Sequence, residues 1–138
     1  MPDLTAKTLL LARYLLPISP SNTVLDDHGI VVENGRILAV DSNHSLLKNH
    51  PEAARIDLGH HIVMPGLINA HGHLAMALMR GLGEGHLLDS WLREVIWPLE
   101  AKIVSRDFVN AGTRLAIAEM LSRGITTASD MYYFPEVT

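Results

Sequence analysis

The sequence predicts an α/β protein in two parts: a small β unit over residues 1–64, and the first strand and helix units of a parallel arrangement over residues 65–138. Three observations predict it. Asn34-Gly35 stands between two β-branched runs, Ile30-Val31-Val32-Glu33 and Arg36-Ile37-Leu38-Ala39-Val40. That pair suits a two-residue type I′ turn, which needs positive φ at both positions. After Pro65-Gly66 the pattern changes to strand, helices, strand. Finally, the apolar run Ile62 to Ala70 ends abruptly in His71-Gly72-His73.

Along the first part, Thr8 to Leu16 reads as one β-rich run ended by Pro17, followed by turns from Pro17 to Asn22 and at Asp26-Asp27-His28-Gly29. Asp41 to Ala54 is polar and reads as a loop or short helix. Arg55 to Leu58 and His61 to Met64 read as short strands, so the unit is expected to be all-β. In the second part, Leu88, Trp91, Leu92 and Val95 fall at helical spacing with Asp89 near the start, and Pro98 limits how far that helix can run without a kink. A second helix fits Arg106 to Arg123. Ser105 is its N-cap, Asp107 suits the positive end of its dipole, and Gly124 marks its end. Phe108, Ala111, Leu115, Ala118 and Leu121 are its expected apolar face, and Ile125 to Asp130 reads as the next strand. There is no internal repeat and no low-complexity segment.

Composition narrows the chemistry. A chain of 138 residues supports one domain with a real core. No stretch is long enough to span a bilayer, and Met1 to Lys7 lacks the basic start and cleavage site of a secretory signal, so a soluble, cytoplasmic protein is expected. With no cysteine, any metal site must use His, Asp or Glu. The net charge of −4 argues against nucleic acid or an anionic membrane as the main partner and leaves a small molecule. Self-association into a homo-oligomer stays open.

In an extended backbone residues two apart project to one face, so His71 and His73 can address one ion without the chain folding back. Zinc wants three or four such groups, and two make half a site. His28, His44 and His50 fall in or beside turns and read as solvated, and His60-His61 as surface. His86 lies closer to the pocket loop, and no histidine follows it. By residue type alone Glu100 reads as a solvated group after a helix. Trp91 and Trp97 read as core, or as platforms for a flat substrate. Asp130 points into the same mouth as the histidines or caps the next segment.

Val63-Met64-Pro65-Gly66-Leu67-Ile68-Asn69-Ala70-His71-Gly72-His73 resembles the amidohydrolase superfamily. Met76-Ala77-Leu78-Met79-Arg80-Gly81, Trp91-Leu92, Ile96-Trp97-Pro98-Leu99-Glu100, Gly124-Ile125-Thr126-Thr127 and Asp130-Met131-Tyr132 narrow the resemblance. They are similar to the chlorohydrolase/deaminase (TRZ/ATZ) branch, nearest to 5-methylthioadenosine/S-adenosylhomocysteine deaminases. The resemblance implies the N-terminal part of a (β/α)8 metal-dependent hydrolase barrel, preceded by part of a small β-sandwich. It implies one divalent ion, zinc first, with iron or manganese as alternatives, and hydrolytic deamination of an adenine-nucleoside thioether. A free nucleobase or a triazine is the alternative substrate. By the same resemblance His71 and His73 are metal ligands, and Glu100 accepts hydrogen bonds from ribose hydroxyls.

Two departures qualify it. The family barrel has eight strands and these residues hold about two, so the remaining ligands and the acid/base glutamate belong to later strands. The chain is therefore expected to be the N-terminal piece of a protein roughly three times its length or more, and without catalytic residues of its own. It is a truncated reading frame, a cleaved product or an incompletely described chain; failing that, it is a non-catalytic binding fragment. The loop Gly83-Glu84-Gly85-His86-Leu87 replaces the paired acidic stretch and Leu-Pro common in relatives, which leaves the substrate open.

Overall fold

A computed structural model describes residues 5–137; Met1 to Leu4, most of the start that reads as leaderless, lie outside the described residues. The chain divides between Pro65 and Gly66 into two compact units.

The first unit holds β1 (Thr8–Leu11), β2 (Tyr14–Leu15), β3 (Leu25–Asp26), β4 (His28–Glu33), β5 (Arg36–Ser42), α1 (Asn43–Asn49), β6 (Ala54–Asp57) and β7 (Ile62–Val63). One sheet has the order β5-β4-β1-β6 and a second the order β3-β2-β7. The β4–β5 hairpin turns at Asn34-Gly35, with φ of 50° and 71°, as the type I′ chemistry requires. Its ladder carries a bulge between Val31 and Val32.

The single run expected from Thr8 to Leu16 is two strands in two sheets. The break falls at Ala12-Arg13, where backbone groups turn away from a ladder. The Ala12 carbonyl accepts from Asn43 Nδ2 at 2.9 Å, and the Arg13 carbonyl accepts from Asp27 N at 2.8 Å. Nor is the unit all-β. Ser42 caps α1 by accepting from Ser45 N at 3.2 Å, and Leu46 on that helix joins Leu9, Val31 and Ala53 in the unit's core. Gly29 is required in β4, since a Cβ there would stand 2.4 Å from the Leu10 carbonyl oxygen.

The second unit opens with β8 (Leu67–Gly72) and a 3-10 segment, Leu74–Met79. After a loop come α2 (Leu88–Ser90), a π-helical segment (Trp91–Ile96), α3 (Trp97–Ile103), α4 (Arg106–Ser122) and β9 (Ile125–Asp130). β8 and β9 pair in parallel, with Asn69 opposite Ala128 and Gly72 opposite Asp130. Their carboxyl ends therefore lie side by side. Leu67 and Ile68, expected in a buried core strand, are exposed.

The helix that begins at Leu88 runs past Pro98 only through a local distortion. The chain widens just before it, with Trp97 N donating to Leu92 O five residues back, and Pro98 sits in the first turn of α3. The wide turn moves aside the carbonyl that the proline ring would meet, and the missing N–H falls where the helical ladder is already widened.

In α4, Ser105 caps as expected, accepting from Phe108 N at 3.2 Å, and Gly124 follows the helix at φ +76°. The buried face differs from the expected one. Val109, Gly112, Thr113 and Ala116 are buried, while Ala111, Leu115, Ala118 and Leu121 are exposed and Phe108 is half-buried. Close approach explains the choice: a Cβ on Gly112 would stand 2.4 Å from the Ala75 carbonyl oxygen, so small residues face the 3-10 segment.

Candidate metal and substrate site

The site is built where β8 and β9 end. Parallel strands place their carboxyl ends on one side, where backbone groups leave the ladder and side chains can converge. His71 and His73 straddle Gly72, with ring centroids 5.2 Å apart and planes at 84°. Two imidazoles sharing a tetrahedral ion, each through a nitrogen about 2.0–2.1 Å from it, have centroids about 5 Å apart. The observed pair fits that demand.

His73 is oriented from β9. Its Nδ1 lies 2.6 Å from the Met131 carbonyl oxygen. A carbonyl only accepts, so Nδ1 carries the proton and Nε2 keeps its lone pair. Metal-ligating histidines are commonly held in this way by a carbonyl on the other ring nitrogen. Asp130 Oδ1 accepts from Leu74 N at 2.8 Å, and Met131 N donates to the Gly72 carbonyl at 3.0 Å. Asp130 thus caps the segment after β8 rather than the one after β9.

Beside His73 lies a cleft of about 1010 Å³, lined also by Trp91, Trp97, Glu100, Asp130 and Tyr132. Glu100, read from residue type as solvated, is only 8% exposed and lies inside α3. Its Oε1 accepts from the Tyr132 hydroxyl at 2.7 Å. Burial first, and then this hydrogen bond, push the Tyr132 phenol above its ordinary range, so it remains a proton donor. The Trp91 indole N–H donates to the Leu82 carbonyl at 2.8 Å, while Trp97 is half exposed beneath the Arg93 guanidinium, 5.6 Å from its ring centre.

The structure thus brings His71 to His73, and places Glu100, Trp91, Trp97 and His73 on one cleft. His86 stands apart, with Nδ1 3.9 Å from Glu94 Oε2. Among the described residues no group of three or more His, Asp or Glu side chains could hold an ion. The roles of the Met131 carbonyl and the Tyr132 hydroxyl were not read from the sequence. Their signal is positional, since both follow directly on Asp130 at the end of a parallel strand.

A family model described as the amidohydrolase family matches residues 62–136. A 5-methylthioadenosine/S-adenosylhomocysteine deaminase of Saccharophagus degradans is 40% identical over 131 residues, covering 95% of this chain and 29% of its own length. An adenosine deaminase structure from Xanthomonas campestris, with bound zinc, superposes with a TM-score of 0.85 at 39% identity, covering 96% of this chain and 30% of that one. A triazine hydrolase from Arthobacter aurescens gives a TM-score of 0.77 at 28% identity, covering 92% and 29%. The chain spans about three tenths of the length of each of these proteins. No helix among the described residues is long and apolar enough to cross a membrane. From its family match, which runs across the second unit and over more than half of the residues, this chain belongs to the amidohydrolase family.

Proposed function

We propose that this chain is the N-terminal part of a metal-dependent hydrolytic deaminase, in which β8 and β9 begin a (β/α)8 barrel and residues 1–64 contribute to a β-sandwich. The observation that carries the reading is the His71–His73 pair, 5.2 Å apart at the carboxyl end of β8, with His73 held through Nδ1. In this reading His71 and His73 are two ligands of one divalent ion, zinc first. When bound, such an ion makes hydroxide available near neutral pH and offsets charge that develops during attack.

The chain's own residues supply orientation and binding. The Met131 carbonyl holds the His73 tautomer that keeps Nε2 free. Trp91 and Trp97 give the cleft flat apolar walls suited to a heteroaromatic ring. Glu100, buried on the same cleft, accepts hydrogen bonds from vicinal hydroxyls of a ribose. An adenine-nucleoside thioether, methylthioadenosine or S-adenosylhomocysteine, is therefore the favoured substrate class, in line with the name of the Saccharophagus relative.

The experiment uses the full-length protein that carries this chain. Zinc-loaded, it should release ammonia from methylthioadenosine or S-adenosylhomocysteine. His71→Asn and His73→Asn should each lower bound zinc, measured by elemental analysis, by about tenfold or more. Unchanged zinc content in both variants would remove the histidines from the site. The likeness to the triazine hydrolase supports a second reading, a free base or triazine as substrate. Turnover of guanine, cytosine or a triazine in place of both nucleosides would establish it, and Glu100→Ala would then cost little.

A further inference from the structure

Glu100 is an unusual carboxylate for its surroundings. It is 8% exposed and lies on a cleft walled by Trp91, Leu92 and Ile96, yet no cation pairs with it among the described residues. Its side chain receives one protein donor, the Tyr132 hydroxyl on Oε1 at 2.7 Å, and none reaches Oε2 among the described residues. An ionised carboxylate has about four acceptor sites, and a buried one is costly unless they are used. This one retains accepting capacity next to a cleft.

The residue that holds Glu100 directly follows the residue that holds His73. The Met131 carbonyl takes the His73 Nδ1 proton, and the Tyr132 hydroxyl reaches Glu100 on α3. Two consecutive residues after β9 thus tie together the histidine pair and the carboxylate.

Resting on the nucleoside reading above, we propose that Tyr132 is a positioning residue for recognition of a vicinal diol. Its hydroxyl occupies Oε1 of Glu100 and fixes the carboxylate plane, which leaves Oε2 as a preset acceptor for a ribose hydroxyl. The tyrosine donor sets the distance from that acceptor to the histidine pair. Tyr132 touches no reacting atom; it acts through Glu100. Its effect is therefore on selection of hydroxylated sugars and on KM, not on chemistry at the ring.

The test is equilibrium binding by calorimetry to the metal-free full-length protein, with adenosine and 2′,3′-dideoxyadenosine as probes. Wild type should prefer adenosine. Tyr132→Phe should weaken adenosine by about tenfold, the worth of a hydrogen bond to a charged group, and leave the dideoxy probe unchanged within about twofold. Tyr132→Leu should lose the same selectivity and serves if the phenylalanine variant does not fold. On a Glu100→Gln background, Tyr132→Phe should have no further effect on selectivity. In the zinc-loaded protein the loss should fall on KM, with kcat nearly kept. Equal weakening of both probes, or full diol preference in Tyr132→Phe, overturns the inference while the nucleoside reading stands. A wild type that shows no preference for adenosine overturns both.

Discussion

Tyr132 keeps its proton where an exposed tyrosine would lose it. Burial and the Glu100 carboxylate both disfavour the phenolate, so the folded-state pKa lies above the ordinary value near 10. The sign follows: the folded state holds this proton more tightly than the unfolded chain does. The stabilising contribution is complete below about pH 10 and is lost as pH rises through the raised value. A difference absorbance titration of wild type against Tyr132→Phe should therefore show no phenolate step near pH 10; a step there would mean that the phenol is solvated. At this scale the sequence was legible where spacing alone sets placement, as in bringing the His71 and His73 rings together across Gly72. Burial of Glu100 was not, because residue type predicts exposure and only the path of the helix turns it inward.

At the scale of elements, α4 and the 3-10 segment Leu74–Met79 show why apolarity alone misplaces a helix face. The expected stripe holds larger side chains, Leu115 and Leu121, and it is the exposed one. The buried stripe holds Gly112, Thr113 and Ala116, because contact with Ala75 leaves no room for more. Gly112→Ala separates the two influences. In an exposed helix that change stabilises by up to about 1 kcal/mol. Here the new Cβ meets backbone at 2.4 Å, so chemical denaturation of the full-length protein should show a loss of about 1–3 kcal/mol. A gain would mean that the segment shifts freely. The hairpin at Asn34-Gly35 and the cap at Ser105 were legible because both are local. The strand break at Ala12-Arg13 was not, since it depends on Asn43 and Asp27 some distance along the chain.

For the whole molecule, the second unit presents a parallel pair with few covered side chains. Leu67, Ile68, Leu115 and Leu121 are all between 40% and 69% exposed. A two-stranded sheet with unpaired edges invites pairing with other chains. Residues 1–138 expressed alone should therefore self-associate, seen as polydisperse light scattering and strong binding of a hydrophobic dye. A monodisperse species with a cooperative thermal transition would favour the reading of the chain as a self-sufficient, non-catalytic binding protein. The change of character at Pro65-Gly66 was visible in the sequence because it switches hydrophobic periodicity. The partners of the exposed faces were not, because no residue among these describes what lies against them.

The π-helical segment from Trp91 to Ile96 has a consequence for how many residues this stretch must contain. A π turn holds an extra residue, and each residue in a helix advances the azimuth by about 100°. Trp91 and Glu100 share a wall of the cleft in the phase that this winding sets. Removing one residue together with the wide turn would leave that phase intact, whereas adding one α-helical residue would swing Glu100 by about 100° away from Tyr132, with the composition of the cleft unaltered. Chain length between two points is here a determinant of recognition, independent of which side chains fill it.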